Sequence, residues 1–362
     1  MAREGTTALR RGWTTGACAA GAASAAFTRM MVGRFPDPVS IHLPRGGVAS
    51  FRLALAEGGT AWARAGIIKN AGDDPDVTHG ALIVAKVAWG EPGSGIRFVA
   101  GEGVGTVTRA GLPLPVGEPA INPAPRAMIR NLLCETAGEN GAPSPDVTVT
   151  ISIPGGERLA EKTMNARLGI IGGLSILGTT GIVIPYSCAS WVHSIHRGID
   201  VARAAGLGHI AAATGTTSER AVQHLYRLPE HALIDMGDFV GATLKYLRAH
   251  PVARLTLAGG FAKLAKLSAG HLDLHSTRSR VDIPTLAEML ADLGADASSV
   301  QTARSARGAA EILALAGDRR GALARAVAVR AREVALATLS GRTVVEIAIV
   351  DRDGGFLARV DE

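Results

Sequence analysis

The sequence is short of the features that would tie it to a disulfide scaffold, a zinc centre or a nucleic-acid strand. Of its 362 residues, three are cysteine. Cys18, Cys134 and Cys188 are odd in number, far apart and without a C-x-x-C pair, which excludes a disulfide framework or a zinc ribbon and makes a reducing cytoplasm the expected compartment. Aromatic residues make up 4%, too few for the stacking platforms of a single-strand binder. There is no internal repeat, and no low complexity beyond alanine enrichment. With 47% hydrophobic and 19% charged residues the chain is not a disordered one. What is present is enough apolar chain for about two domains with their own cores. The formal charge of +6 favours an anionic partner, an acidic small molecule rather than a nucleic acid.

Long unbroken hydrophobic helices are also lacking. The run LRRGWTTGACAAGAASAAF sets Arg10 and Arg11 before an uncharged alanine-rich stretch, in outline like a twin-arginine export signal. Beyond the arginines it holds no leucine, isoleucine or valine, so it reads as a small-residue helix packed closely on a neighbour, with Thr14 or Thr15 as its N-cap. Residues 168–189 form a second uncharged run, long enough to cross a bilayer at about 20 residues. Gly172, Gly173, Gly178, Gly181 and Pro185 interrupt it, and each glycine costs a helix about 1 kcal/mol relative to alanine. The expectation is a short strand at RLGII, a glycine turn carrying Ser175, Thr179 and Thr180, and a second apolar segment at GIVIP.

Downstream, strand-like and helix-like stretches alternate. CASWVHSIHRGIDVARAAG reads as a helix stopped by Gly206, GHIAAAT as a strand, and TSERAVQHLYRLP as a helix. HALIDMGDFVGATLKYLRAHP and VARLTLAGGFAKLAKLSAG each repeat strand, turn and helix. Helices over 283–293 and 308–339 precede a last strand, RTVVEIAIV. This rhythm predicts a mostly parallel, Rossmann-like sheet. The first half instead offers VSIHLP, SFRLALAE, TAWARAGII, SGIRFVAGEGVGTVTRAG and DVTVTISIP, a pattern of largely antiparallel hairpins with a few helices. The expected architecture is therefore an α+β domain over 1–156 and a Rossmann-like α/β domain over 157–362, divided at the PGGE turn.

In open parallel sheets a ligand sits beyond the carboxyl ends of the strands. Four turns are expected there, at 172–181, 214–217, 235–238 and 259–260. A nucleotide-like ligand fits, although the spacing is not G-x-G-x-x-G and no acidic residue ends a strand about 20 residues later. Glycines that serve only tight packing remain an open alternative. AGDDPDVTHG raises a separate question: Asp73, Asp74, Asp76 and His79 read either as a divalent-ion site or as an acidic turn at a helix N-terminus.

RRGWTTGACAA, KNAGDDPDVTHG, GEGVGTVTRAGL, INPAPRAMI, RLGIIGGLSILGTTGIVIPYS, IDVARAAG and GGFAKLAKLSAGHLDLHS together resemble the CbiD family of anaerobic cobalamin biosynthesis, the cobalt-precorrin-5B C1-methyltransferases. The resemblance runs from Arg10 to Ser276 and is weaker beyond. In TMNARLGI the family pattern carries an aromatic and a proline where Met164 and Ala166 stand. It implies transfer of a methyl group from S-adenosylmethionine to C1 of cobalt-precorrin-5B, giving cobalt-precorrin-6A, with cobalt carried by the substrate and no protein-bound metal.

A corrinoid precursor bears acetate and propionate groups that a basic cleft attracts. Lys69, Arg126, Lys162, Lys263 and Lys266 lie in or near the family-like blocks and are the candidate carboxylate contacts. Lys263 and Lys266, three apart after Gly259 and Gly260, share one helix face. Helix N-termini after WTTG and LAGG are further anion sites. The donor pocket is assigned to Gly172, Gly173, Gly178, Thr179, Thr180 and Gly181 with Thr214 and Gly215, and Asp235 reaching the ribose. His271, Asp273 and His275 in HLDLH are candidates for removing a proton. On a strand their alternate spacing would put all three on one face, leaving a metal site, a catalytic role and a structural cluster open. A homo-oligomer and handover from other pathway enzymes are compatible with the chain; a membrane partner is not expected. The rival readings are a nicotinamide-dependent oxidoreductase and a non-enzymatic binder of anionic ligands.

Overall fold

The computed structural model describes residues 9–361. The chain divides into two compact units, one ending at Ser187 and the other beginning at Cys188.

In the first unit β1 (Gly12–Trp13) leads into α1 (Thr15–Val32). Thr14 is the N-cap, its hydroxyl accepting from the Ala17 amide, and Gly33 closes the helix in the left-handed region at φ 87°. All of α1 from Thr15 to Phe27 is buried. Small side chains make that possible: a Cβ on Gly16 would lie 2.9 Å from the Leu177 carbonyl, and one on Gly21 2.9 Å from the Phe51 ring. The alanine-rich run is therefore a core helix, and no helix among the described residues is long and apolar enough to cross a membrane.

The unit continues with β2 (Val39–His42), β3 (Val48–Phe51), β4 (Leu55–Gly58), β5 (Trp62–Ile68), β6 (Leu82–Trp89), β7 (Ile96–Ala100) and β8 (Thr106–Val107). Then come α2 (Pro123–Glu139), β9 (Val147–Ser152), α3 (Gly156–Ala160), β10 (Ile170–Ile171) and β11 (Ile182–Val183). The main sheet runs β4-β5-β6-β9-β7, antiparallel except for the β7/β9 pair. In β9 alternation is clean: Val147, Val149 and Ile151 are buried and the threonines half-buried. The strand β6 was not anticipated, because LIVAKVAW lacks that alternation.

Residues 157–187 stay with this unit instead of opening the next, as the PGGE boundary had placed them. Backbone pairing holds them there. β10 pairs with β8, β11 pairs with β1, and the Leu174 and Ile176 amides donate to Gly103 and Ala120. RLGII and GIVIP are thus two short strands of the first unit and not strands of a parallel sheet.

The second unit is α4 (Cys188–Ala204), β12 (His209–Ala213), α5 (Thr216–Tyr226), β13 (Leu233–Asp235), α6 (Val240–Ala249), β14 (Arg254–Gly260) and α7 (Phe261–Ser268). It ends with α8 (Ile283–Asp292), α9 (Ala297–Arg304), α10 (Ala309–Leu315), α11 (Arg320–Leu339), β15 (Val344–Val350) and β16 (Phe356–Val360). Its sheet runs β13-β12-β14-β15-β16; the first four strands are parallel and β16 returns antiparallel, so the sheet is of mixed orientation. The helix expected over 308–339 is two helices, interrupted where Gly317 turns at φ 51°. Both sheet faces are covered: Ile210, Leu255, Leu257 and Ile347 join the larger core, and Ala211, Ala213, Ala258 and Ala348 pack with Val222 of α5.

Candidate functional site

The carboxyl ends of the parallel strands in the second unit bring three of the four expected turns together. Ala213, the last residue of β12, is in register with Asp235 of β13 and Ala258 of β14. Beyond it the Thr214 amide donates to the Ala258 carbonyl at 2.9 Å, and the Met236 and Gly237 amides both donate to the Ala213 carbonyl. Gly215 and Gly260 lead into α5 and α7 without a side-chain cap, and a Cβ at either would meet nothing within 4 Å. Gly259 is different: a Cβ there would sit 2.8 Å from the Thr214 hydroxyl. Backbone is thus open to a ligand at 215 and 260 and closed by packing at 259. Trp191 stands at the same rim, half-exposed, with its indole N–H donating to the Asp235 carbonyl at 3.0 Å.

Charged side chains gather beside this edge. Lys263 pairs with Asp238. Lys266, only 7% exposed, sends its ammonium to the Leu274 carbonyl at 2.8 Å. Burial, and then the neighbouring charge of Lys263, push its pKa down. The backbone carbonyl of Lys266 also accepts from the His271 amide, and Leu274 donates to the Asp238 carbonyl.

HLDLH is therefore a stitched loop and not a strand, so alternation does not align its three polar side chains. Asp273 binds the Arg278 guanidinium at 2.7 Å and accepts from the His275 amide. Burial opposes ionisation, but these bonds and the Arg278 charge outweigh it and hold the carboxyl below its usual range. His275 shares a 2.8 Å hydrogen bond with Thr277 through Nδ1. Arg278 also reaches the Cys188 sulfur at 3.7 Å. Among the described residues no group of three or more His, Cys, Asp and Glu is arranged to hold a metal ion.

The other candidates lie in the first unit. Lys69 is 1% exposed and is taken up by Asp76 and by Thr78 at 2.5 Å. It is no surface contact for a carboxylate. Arg126 bonds Glu118 at 2.8 Å and the carbonyls of Ile121 and Pro119, closing the turn before α2. Both residues are used internally, because each sits where a turn leaves acceptors to be satisfied. Lys162 is exposed in the turn after α3.

Within 172–181, Gly173 makes room for Gly103, whose carbonyl carbon would be 2.3 Å from an added Cβ, and Gly181 makes room for Leu43. Gly178 abuts Thr14, while Gly172 and Thr179 are exposed. Thr180 bonds Ile182 locally. The N-terminus of α1 offers no anion site, since the Gly16 amide donates to Leu177 and the Ala17 amide to Thr14. The acidic turn is neither a helix N-terminus nor an ion cage. Asp73 accepts from the Arg10 amide at 2.6 Å, Asp74 from the Tyr186 amide at 2.8 Å, and His79 from the Ala71 amide.

Several residues that organise these units were missed. Asn165 is buried and donates to the Gly173 carbonyl at 3.0 Å while its carbonyl oxygen accepts from Ser175, shaping the glycine turn. Glu346, fully buried on β15, accepts from Tyr226, from Thr256 at 2.7 Å and from Arg359 at 2.9 Å. A glutamate inside the apolar run VVEIAIV was the available signal.

The model of the CbiD family matches residues 2–185, and that of its C-terminal domain matches residues 273–361. A cobalt-precorrin-5B C(1)-methyltransferase of Methylorubrum extorquens is 56% identical over 354 residues, 98% of each chain. Proteins of the same name from Brucella anthropi and a Bradyrhizobium species are 56% and 59% identical, covering 97% of this chain and 96% and 93% of theirs. A crystal structure of a cobalamin biosynthesis protein (cbiD) from Archaeoglobus fulgidus is 29% identical, covers 75% of this chain and 83% of that one, and has a TM-score of 0.41.

Proposed function

The chain belongs to the CbiD family, and on that premise we propose that it methylates C1 of cobalt-precorrin-5B in cobalamin biosynthesis, taking the methyl group from S-adenosylmethionine held by its second unit. The observation that carries the activity is relatedness along the whole chain, 56% identity over 98% of a methyltransferase of that name. Neither an oxidoreductase nor a non-enzymatic binder has comparable support.

For the donor, strand order is the supporting feature. Numbered along the chain, the second sheet begins two-one-three-four, the doubly wound order whose ligand crevice opens between strands one and three, here β12 and β14. This favours the Rossmann-like reading. Open backbone at Gly215 and Gly260 flanks that crevice, with Thr214 and Asp235 beside it. We assign the ribose to Asp235 and place an adenine-sized face by Trp191. We assign the first unit, with its exposed Gly172 and Thr179, to the tetrapyrrole. The buried, pKa-depressed Lys266 is assigned to shaping the loop 271–275, and Lys162 and Lys263 to carboxylates.

The sulfonium, when bound, supplies an already activated methyl group. The chain's share of the work is alignment and water exclusion, which are worth roughly 7 to 11 kcal/mol in favourable cases. His275 is the group assigned to accept a proton leaving the macrocycle, and Asp273 fixes its backbone through the 3.1 Å bond to its amide. The three cysteines, all free, suit the cytoplasm.

Incubating the full chain with methyl-labelled S-adenosylmethionine and the ring-contracted precursor tests the reading. Label at C1 of the product supports it. Absence of label, together with thermal stabilisation by NAD and none by S-adenosylmethionine, transfers the case to the oxidoreductase.

A further inference from the structure

Arg109 is half-buried, one of its charged nitrogens is fully buried, and among the described residues it has no anionic partner. Its Nη1 is buried and has no hydrogen-bond acceptor. Three other cations of the same unit are matched by carboxylates: Lys69 by Asp76, Arg64 by Glu57 and Arg126 by Glu118. A guanidinium is more weakly hydrated than an ammonium and never loses its charge, so an N–H group of it buried without an acceptor is a cost to the folded protein.

The mount beneath Arg109 is rigid. The residue follows β8, whose partner β10 brings Gly169 against the arginine stem. The Thr108 amide and hydroxyl both donate to the Gly169 carbonyl, at 2.7 and 2.8 Å. Gly169 turns at φ 76°, and a Cβ there would fall 2.4 Å from the Arg109 Cγ. Only glycine lets the stem lie across that backbone. The position is thus fixed by local bonding, while the charge it presents is unanswered.

We propose that Arg109 is a carboxylate-binding residue, taking an acetate or propionate of the tetrapyrrole. It rests on the methyltransferase reading for the identity of that molecule. The fork of N–H donors suits a planar carboxylate, and the fixed stem lowers the entropy lost on binding.

Full-length Arg109→Met and Arg109→Lys variants are compared with the unaltered chain by melting without ligand and by calorimetric titration with S-adenosylmethionine and, separately, with cobalt-precorrin-5B. Arg109→Met is expected to melt no lower than the parent, since an unpaired charge has been removed. The dissociation constant for cobalt-precorrin-5B rises roughly 10- to 100-fold, the range for a charge-assisted bond, while that for S-adenosylmethionine holds. Arg109→Lys recovers part of the loss. A rise confined to the tetrapyrrole assigns the residue to a ring carboxylate; a rise confined to the donor would overturn that assignment. Both constants unchanged would overturn the proposal, as would a lower melting temperature with unchanged binding, which marks a structural arginine. Because titration needs no turnover, a parent that binds through Arg109 but transfers no methyl group refutes the reaction and not the residue.

Discussion

Gly178 lies against Thr14: a Cβ at position 178 would fall 2.3 Å from both Cβ and Oγ1 of the threonine. The two Thr-Thr-Gly copies of the sequence, at 14–16 and 179–181, meet here. The Thr14 amide donates to the Gly181 carbonyl at 2.9 Å and the Gly16 amide to Leu177 at 2.8 Å. One face of the glycine turn therefore closes the N-cap of the core helix.

Gly178→Val introduces both this clash and a branched side chain at φ 126°. The expected loss is about 3 kcal/mol of stability, measured by urea unfolding. Pairing Gly178→Ala with Thr14→Gly removes the side-chain clash, so the double variant should lose less than the sum of the two single losses. Thr179→Ala, at an exposed site, should stay within about 0.5 kcal/mol of the parent. Titration of cobalt-precorrin-5B into that variant asks about the tetrapyrrole without disturbing the helix; full affinity would remove Thr179 from the tetrapyrrole contacts.

Lys69→Met strands the Asp76 carboxylate that now holds the lysine. Removing one partner of a buried pair costs about 3 to 5 kcal/mol, and the partial exposure of Asp76 places this case at the lower end. A chemical-denaturation midpoint near that of the parent would show the pair to be dispensable.

Acid should unfold the protein partly through Asp76 and Glu346. Burial raises both carboxyls, but for Asp76 the charge of Lys69 and bonds from Lys69 and Thr78 outweigh it, and for Glu346 bonds from Tyr226, Thr256 and Arg359 do. Both end below their ordinary carboxylate values. Between the depressed folded values and those unfolded values the unfolded chain binds more protons. Stability is then complete above that window and is lost as pH falls through the folded values. Urea midpoints should decline there, and less steeply in Lys69→Met, where Asp76 has lost its partner; identical slopes would refute the assignment.

Lys266→Met keeps the stem but deletes the bond to the Leu274 carbonyl. Backbone amides in 271–275 should exchange faster, at a stability cost of about 1 kcal/mol. If that loop serves the reaction, turnover falls while donor affinity holds. Faster exchange with unchanged turnover would take HLDLH out of the catalytic site.

Asp235→Ala is expected to weaken S-adenosylmethionine binding about tenfold, the worth of one hydrogen bond to a charged group. Calorimetry on a variant with the parent's melting temperature is the measurement. Unaltered affinity would move the ribose elsewhere.

Much of this was legible in the chain. Thr14 is a hydroxyl followed by small helix formers, and it is the cap. Strand and helix alternate from Cys188 onward as the apolar spacing indicated, and the turns at 214, 235 and 259 meet because parallel strands end on one edge. Lys69 and Arg126, expected as contacts for a ligand, are paired inside the fold with Asp76 and Glu118, and the local sequence does not distinguish a solvated charge from a paired one. For HLDLH the sequence left a metal site, a catalytic role and a structural cluster open, because period-two spacing over five residues fits a strand and also a loop held at its backbone, which is what the fold shows.

By itself the sequence determined the family, the small-residue core helix and the order of elements, since caps, periodicity and glycine breaks act within a few residues. The tertiary structure decided which partner each polar group has. Glu346 answers to Tyr226, 120 residues away, the Thr14 amide to the Gly181 carbonyl, and the Arg109 Nη1 to no acceptor. Desolvation and pairing depend on what the folded chain brings within about 3 Å, a distance that no local pattern encodes.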